Sequence, residues 1–480
     1  MAIKREPTLL EAFVPVIFLI ILLSINVGIF GDSALDGSNQ IVLILSAAAA
    51  ALVAGRLGYK WNEIQDGIVR SISSAMTSLL ILLLIGSLAG TWLLSGIVPA
   101  MIYYGLQILN PTIFLFAACI VCSIVSVATG SSWTTAATVG IALIGIGKAL
   151  GISEGLVAGA ILSGAYFGDK MSPLSDTTNL APAMAGTDLF THIRYMAITT
   201  VPSISIALII FLIIGLSGGA DGLVTDTSTI LTAISDKFYI SGWLFIVPIV
   251  VVLMIVRKVP AIPALLVGTL LGALFALIFQ TELVAGIGGA MTASGLFVGI
   301  MKSLYGSISI TTDNAMVTDL LSSGGMAGML GTIWLIISAM IFGGVMESSG
   351  MLKRIAKSII SLVNSTGALI ASTVGTCVFF NVTASDQYLA IVVPGRMYAD
   401  IYKRKGLAPE NLSRTLEDSG TVTSVLIPWN TCGAYHSSVL GVATLTYAPF
   451  CFFNIISPFM TMFVGFVGYK LKTLNEKTAA

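Results

Sequence analysis

Between two long apolar runs lies the segment Ser163-Gly-Ala-Tyr-Phe-Gly-Asp-Lys-Met-Ser-Pro-Leu-Ser-Asp-Thr-Thr-Asn179. It carries the carboxylates Asp169 and Asp176, the base Lys170, the hydroxyls of Ser175, Thr177 and Thr178, and the amide of Asn179. Charged groups at bilayer depth are costly and are kept there for a purpose. A polar stretch interrupted by Gly and Pro suits a non-helical break that lines a cavity or an ion site. A second such stretch holds Glu417, Asp418, Ser419 and Gly420, then Pro428, Trp429, Asn430 and Thr431. Paired breaks of this kind point to a secondary transporter.

The chemistry is that of oxygen ligands. Upstream of the first break stand Thr129, Ser131 and Ser132; upstream of the second stand Asn381, Thr383, Ser385 and Asp386. Carbonyls, hydroxyls and carboxylates suit a hard cation such as Na⁺, and broken helix ends bring free N–H and carbonyl groups to one place. A desolvated carboxylate can trade H⁺ for a cation, so one group serves two competing ligands. Pairing competes with this role. Lys170 is placed to pair with Asp169, Arg396 with Asp386, and Arg414 with Glu417 or Asp418. Lys170 and Arg396 are also the candidates for holding an organic anion.

The elements that must position these groups are membrane helices. Of 480 residues, 56% are hydrophobic and 10% charged, against roughly 25% charged in soluble domains. Apolar segments of about 20 residues fit helical spans, and no strand-like alternation supports a β-barrel. The formal net charge is zero and there is no basic tract, which argues against nucleic-acid binding. The five cysteines fall in apolar or break segments and read as small buried hydrophobes. Lys4 and Arg5 precede an apolar run without a small-residue cleavage site, so the run reads as a retained first span.

Landmarks recur in order across the two halves. Ser95-Gly96 against Ser349-Gly350, and Thr129 against Thr383, share one offset, since 349 − 95 and 383 − 129 both give 254. Glu154 matches Glu410, Ser163-Gly164 matches Ser419-Gly420, and Pro173 matches Pro428 within two residues of that offset. Spans are expected near 9–30, 40–56, 74–98 and 196–216, then 241–257, 260–279, 323–348 and 450–470. The excess of Lys and Arg on cytoplasmic loops then orients them. Lys4–Arg5, Arg56–Arg70, Arg257–Lys258, Lys353–Lys357 and Lys403–Lys405 fall inside, as do both termini, whereas the acidic loops at 31–39 and 218–240 fall outside. The expected fold is therefore all-α and polytopic, with two inverted repeats. The first repeat is 1–217, the external linker is 218–240 and the second repeat is 241–480. Each repeat holds a re-entrant hairpin (111–150, 358–402) and a broken helix (154–190, 410–447).

Other signals read as structural. Glycines 155, 159, 164 and 168 suit close helix packing. His192 reads as a solvated loop residue and Glu347 as interfacial. Cys432 and His436 are too few for a zinc site. Gly151-Ile-Ser-Glu-Gly155 fits a nucleophile pattern, but no strand precedes it, so the chain does not read as an enzyme. No cofactor is expected.

The run from Gly164 to Pro182 is similar to the signature of the NhaC-type sodium/proton antiporter family. Asp319–Gly325, with Phe342–Glu347 and Gly350, resembles further stretches of that family, although Ser323 stands where a basic residue is expected. The resemblance implies exchange of Na⁺ or Li⁺ for H⁺ across the bacterial inner membrane by a hairpin-containing, elevator-type carrier. Such a scaffold accommodates a homodimer. The family includes a malate/lactate exchanger coupled to Na⁺ and H⁺, with amino-acid carriers as relatives, so the alternative is an organic-anion or amino-acid carrier. The lipid bilayer, Na⁺ (or Li⁺), H⁺ and a small organic acid are the expected partners.

Overall fold

The computed structural model describes residues 4–30, 34, 37–108, 110–217, 227–313, 315–360 and 365–474. Asp32, Asp36, Asp221 and Asp226, which orient the expected external loops, lie outside the described residues. Among the described residues the protein is α-helical apart from one antiparallel pair of two-residue strands, β1 (Ile308–Ser309) and β2 (Ser322–Ser323), and an isolated bridge between Leu407 and Thr473. Among the described residues, eight helices are long and apolar enough to cross a membrane, ten if each of two bent helix pairs counts as one span.

The first half runs α1 (Leu9–Phe30), α2 (Ser38–Arg56), α3 (Trp61–Ser74), α4 (Met76–Leu94) and α5 (Ile97–Ile108). A helical hairpin follows, with α6 (Pro111–Thr129) as one arm and α7 (Ser132–Thr135), a π-helical turn at Ala136–Gly140 and α8 (Ile141–Ala149) as the other. Then come α9 (Glu154–Met171), α10 (Asp176–Ala185) and α11 (Leu189–Leu216). The four residues between α9 and α10 are the expected break. It forms because Pro173 cannot continue the ladder and disfavours helix at Ser172.

After α12 (Thr227–Ser235), the second half runs α13 (Ile246–Val256), α14 (Ala261–Phe279), α15 (Thr281–Gly288) and α16 (Ala293–Tyr305). The last two meet at 87°. Next come α17 (Ala315–Leu320), α18 (Leu330–Ser348) and α19 (Met351–Ile360). The second hairpin is α20 (Thr366–Thr383) and α21 (Leu389–Arg404). The second broken helix is α22 (Pro409–Leu416), a π-helical turn at Glu417–Thr421, and α23 (Thr431–Leu440), followed by α24 (Thr444–Tyr447) and α25 (Phe452–Val467).

Corresponding helices pack crosswise. α4 lies against α14 and α16 of the other half, and α18 lies against α2 and α3. α6 packs on α9 and α11, while α20 packs on α22 and α25. The hairpin tips also correspond, each turning through one left-handed residue: Gly130 at φ 70° and Ser385 at φ 60°. The glycine stripe packs closely. A Cβ at Gly164 would meet the Cys119 carbonyl oxygen at 2.1 Å, and one at Gly159 would meet the Phe450 carbonyl at 2.5 Å. The expected spans missed α3 as a separate helix and the bent α15–α16 pair. Their polar and glycine-rich joints hide the apolar runs.

Candidate functional site

The first hairpin tip meets the first break through Asp169. Its carboxylate accepts the Ser132 N–H at 3.0 Å and the Ser132 hydroxyl at 2.6 Å. Thr178 ties the two sides of the break, its hydroxyl reaching the carbonyls of Asp169 (3.2 Å) and Lys170 (3.0 Å). Ser131 caps α7 by accepting the Thr134 N–H at 3.1 Å, and Ser175 caps α10 by accepting the Thr178 N–H at 3.4 Å. Asn179 donates to the Pro173 and Ser175 carbonyls at 3.0 and 2.7 Å. Side chains expected to coordinate an ion thus also hold the break in shape. Asp176 opens α10 and is exposed, with the Tyr388 hydroxyl 3.5 Å away.

The second half is closed by amides. Asn381 donates to the Gly420 carbonyl at 2.8 Å and to the Thr423 hydroxyl at 2.9 Å. Asn430 donates to the Asn381 carbonyl at 3.0 Å, and the Thr431 N–H meets the Ser385 carbonyl at 3.0 Å. Thr383 bonds back to the Phe379 carbonyl at 2.7 Å. Asp386 accepts the Leu389 N–H at 2.9 Å and so caps α21. It does not pair with Arg396, which is exposed and does not line the cavity described below.

Three further expectations change. Lys170 is fully buried, and its ammonium pairs with Asp418 of the other half rather than with its neighbour Asp169. Ser457 closes the group, accepting from Lys170 and donating to Asp418, both at 3.1 Å. Arg414 lies 4.7 Å from the Tyr195 ring centroid and pairs with neither Glu417 nor Asp418. His192 is buried on α11, with Nδ1 2.8 Å from the Ser413 hydroxyl, because the helix begins at Leu189 and carries it inward. Glu417 is buried in the π-helical turn beside the hydroxyls of Thr421 and Thr177. Lys170 and Asp169 are its charged neighbours. Such turns mark functional positions more often than ordinary helix does.

The first tip and break face a cavity of about 800 Å³, to which the second hairpin and break contribute Gln387, Tyr388 and Thr431, whereas Asn381, Thr383, Ser385, Asp386, Glu417, Asp418 and Asn430 are not on its wall. Its wall holds Asp169, Asp176, Thr129, Ser131, Thr134, Ser175, Thr177, Asn179 and Thr431. Among the described residues on that wall, two are carboxylates and one, Lys258, is a base. Sequence reasoning missed Trp133, Tyr388 and Tyr435, and also Ser74, Thr77 and Ser78 at the α3–α4 joint. Tyr435 follows Thr431 by one helical turn, a signal that was available; the α3–α4 hydroxyls gave none. The Trp133 and Tyr435 rings stack across the halves at 3.8 Å. Among the described residues no three His, Cys, Asp or Glu side chains group around a metal position. An ion here would rely on hydroxyl and backbone oxygens beside one or two carboxylates.

The sequence profile of the Na⁺/H⁺ antiporter family matches residues 164–469, which include both breaks and the second hairpin. The chain belongs to that family. It is a transporter and not an enzyme, as its relatives' names agree. The Na⁺/H⁺ antiporter NhaC of Alkalihalophilus pseudofirmus is 38% identical over 453 residues, covering 94% of this chain and 95% of the relative. The malate-2H⁺/Na⁺-lactate antiporter of Bacillus subtilis is 37% identical over 97% of this chain and 96% of its own. The arginine/ornithine antiporter ArcD of Halobacterium salinarum is 35% identical over 98% and 94%. Among solved structures, Neisseria gonorrhoeae MtrF is similar at a TM-score of 0.39 and 16% identity over 95% of each chain, too distant to argue from.

Proposed function

We propose that this antiporter exchanges Na⁺ or Li⁺ for H⁺ across the bacterial inner membrane, with both termini cytoplasmic. The observation that carries the reading is the cavity wall, where Asp169 and Asp176 stand among hydroxyls and one amide with Lys258 as the base. Asp176, open to the cavity, meets the arriving cation, which then displaces a proton from the buried carboxylates behind it. Thr129, Thr177 and the carbonyls freed at the break complete the oxygen shell. Asp169, steadied by Ser132, holds the second negative charge. Glu417, behind the break and next to α10, is the reserve proton site. Because cation and proton compete for the same carboxylates, occupancy by one excludes the other, and exchange follows.

Each of the repeats 1–217 and 241–480 contributes to both bodies in this reading. Crosswise packing of α4 and α18 suits a fixed scaffold; hairpins, broken helices, α11 and α25 suit a body that moves in an elevator stroke. The cavity reaches Lys258 and the α3–α4 joint, both on the side that the basic loops mark as cytoplasmic, so this conformation is inward-facing.

A second reading has its own support. A cavity of about 800 Å³ is far larger than a bare Na⁺ requires, and pockets of about 300–1,000 Å³ take small organic molecules. A carboxylate or amino acid would then travel with the same cation chemistry. Proteoliposomes with an internal pH dye separate the two. Na⁺- or Li⁺-driven proton movement without organic solute, lost in Asp176→Asn, supports the first. No response until malate, lactate or an amino acid is supplied supports the second, and full activity in Asp176→Asn removes that residue from either.

A further inference from the structure

A second cavity, of about 260 Å³, lies far from the breaks. Its lining comes from three separate stretches: Lys4–Pro7, Tyr59, and Ser349–Lys357. The N-terminal stretch is held in place. The Arg5 N–H meets the Leu57 carbonyl at 3.2 Å, and the Lys4 ammonium lies 5.0 Å from the Tyr59 ring centroid. The far wall is α19, an amphipathic helix that buries Met351, Leu352, Ile355 and Ala356 and turns Lys353 and Lys357 outward.

Five bases line this cavity, and three of them are matched by carboxylates. Lys4 pairs with Glu63 at 2.6 Å, Lys357 with Glu6 at 3.3 Å, and Arg5 with Glu11. Lys353 and Arg354 have no carboxylate partner among the described residues. Among the described residues the Arg354 guanidinium donates to the Ser358 hydroxyl, at 3.3 Å. Two uncompensated bases in a concave site, one of them a forked guanidinium, match a phosphate group.

The surroundings indicate where that phosphate comes from. The cavity sits at the foot of α1, whose apolar run starts two residues beyond Pro7. Leu10, Val14, Ile17 and Ile21 are 77, 46, 49 and 52% exposed and form an apolar strip rising from the cavity. A charged pocket at the end of a lipid-facing helix lies at headgroup level, and basic pockets of this kind hold anionic headgroups. We propose that this cavity binds the phosphodiester of an anionic phospholipid, with Lys353 and Arg354 on the headgroup and the α1 strip along an acyl chain. Because its walls come from both halves, the lipid joins the start of α1 to the linker between α18 and the second hairpin.

The test uses the full-length protein in detergent, titrated with phosphatidylglycerol, cardiolipin or phosphatidylcholine, with bound lipid counted by native mass spectrometry. Retention of the anionic lipids over phosphatidylcholine is expected, with affinity falling on the order of tenfold in Lys353→Gln/Arg354→Gln. Equal retention of the three lipids, or unchanged affinity in that variant, overturns the proposal. If the double variant does not fold, the exposed Lys353→Gln alone is measured, and a loss of several-fold is required. Inorganic phosphate forms a separate arm: if it displaces phosphatidylglycerol at millimolar concentration, a free phosphate fills the site and the lipid assignment falls.

Discussion

The Lys170–Asp418 pair makes a quantitative claim about what joins the two halves. Both side chains are fully buried, 248 residues apart in sequence, and share Ser457. Removing one charge strands the other without water, which costs about 3–5 kcal/mol for a buried pair. Lys170→Met and Asp418→Leu should each destabilise by that amount. The double variant leaves neither charge of the pair and the Ser457 hydroxyl unmatched, a loss of about 1–3 kcal/mol. Its cost should therefore fall about 3–9 kcal/mol below the sum of the single costs. Unfolding titrations with dodecyl sulfate in mixed micelles measure all four proteins on one scale. Additive losses, or single losses below about 1 kcal/mol, would refute the reasoning and return Lys170 to its neighbour Asp169.

Other outcomes are fixed by local geometry. Gly164→Ala puts a methyl 2.1 Å from the Cys119 carbonyl oxygen, so α6 and α9 must separate at a cost of about 1–3 kcal/mol or more. Gly375→Ala, on α20 with nothing within 4 Å, should be neutral or mildly stabilising, and the two melting shifts are compared directly. Asp386→Ala removes the cap of α21 and should cost about 1 kcal/mol while cation-driven proton movement in proteoliposomes persists. Abolished exchange in a normally melting Asp386→Ala protein would restore Asp386 as an ion ligand.

Much of this architecture was legible in sequence because the halves share landmarks. Thr129 and Thr383 end the first arm of each hairpin, Pro173 and Pro428 sit in the breaks, and the 164–182 run carried the family. The partners of the charged residues were not legible. Lys170 sits next to Asp169, yet at the end of a helix neighbouring side chains diverge, and the lysine reaches across to Asp418 instead. Ser457 lies within an apolar run and shows no periodic signal. Asp386 was read as an ion ligand, and its bond to the Leu389 N–H was not foreseen, because a cap and a ligand use the same side chain. The α3–α4 part of the cavity wall escaped notice because isolated hydroxyls in membrane helices bond back to their own carbonyls in most cases.

The crosswise packing of α4 and α18 also sets an order of assembly at the ribosome. When α4 emerges, the surfaces it rests on do not yet exist; Leu94 precedes Ala261, the start of α14, by 261 − 94 = 167 residues. At about 5–20 residues per second, that is a delay of roughly 8–33 s. The helix α18 meets the opposite situation, since α2 and α3 are already in the bilayer when it arrives. The first half must therefore wait in the membrane with an unpaired face, and the second half completes it. Translation that stops between residues 217 and 261 would release a fragment whose α4 lacks α14 and α16, a substrate for quality-control proteolysis rather than half a transporter.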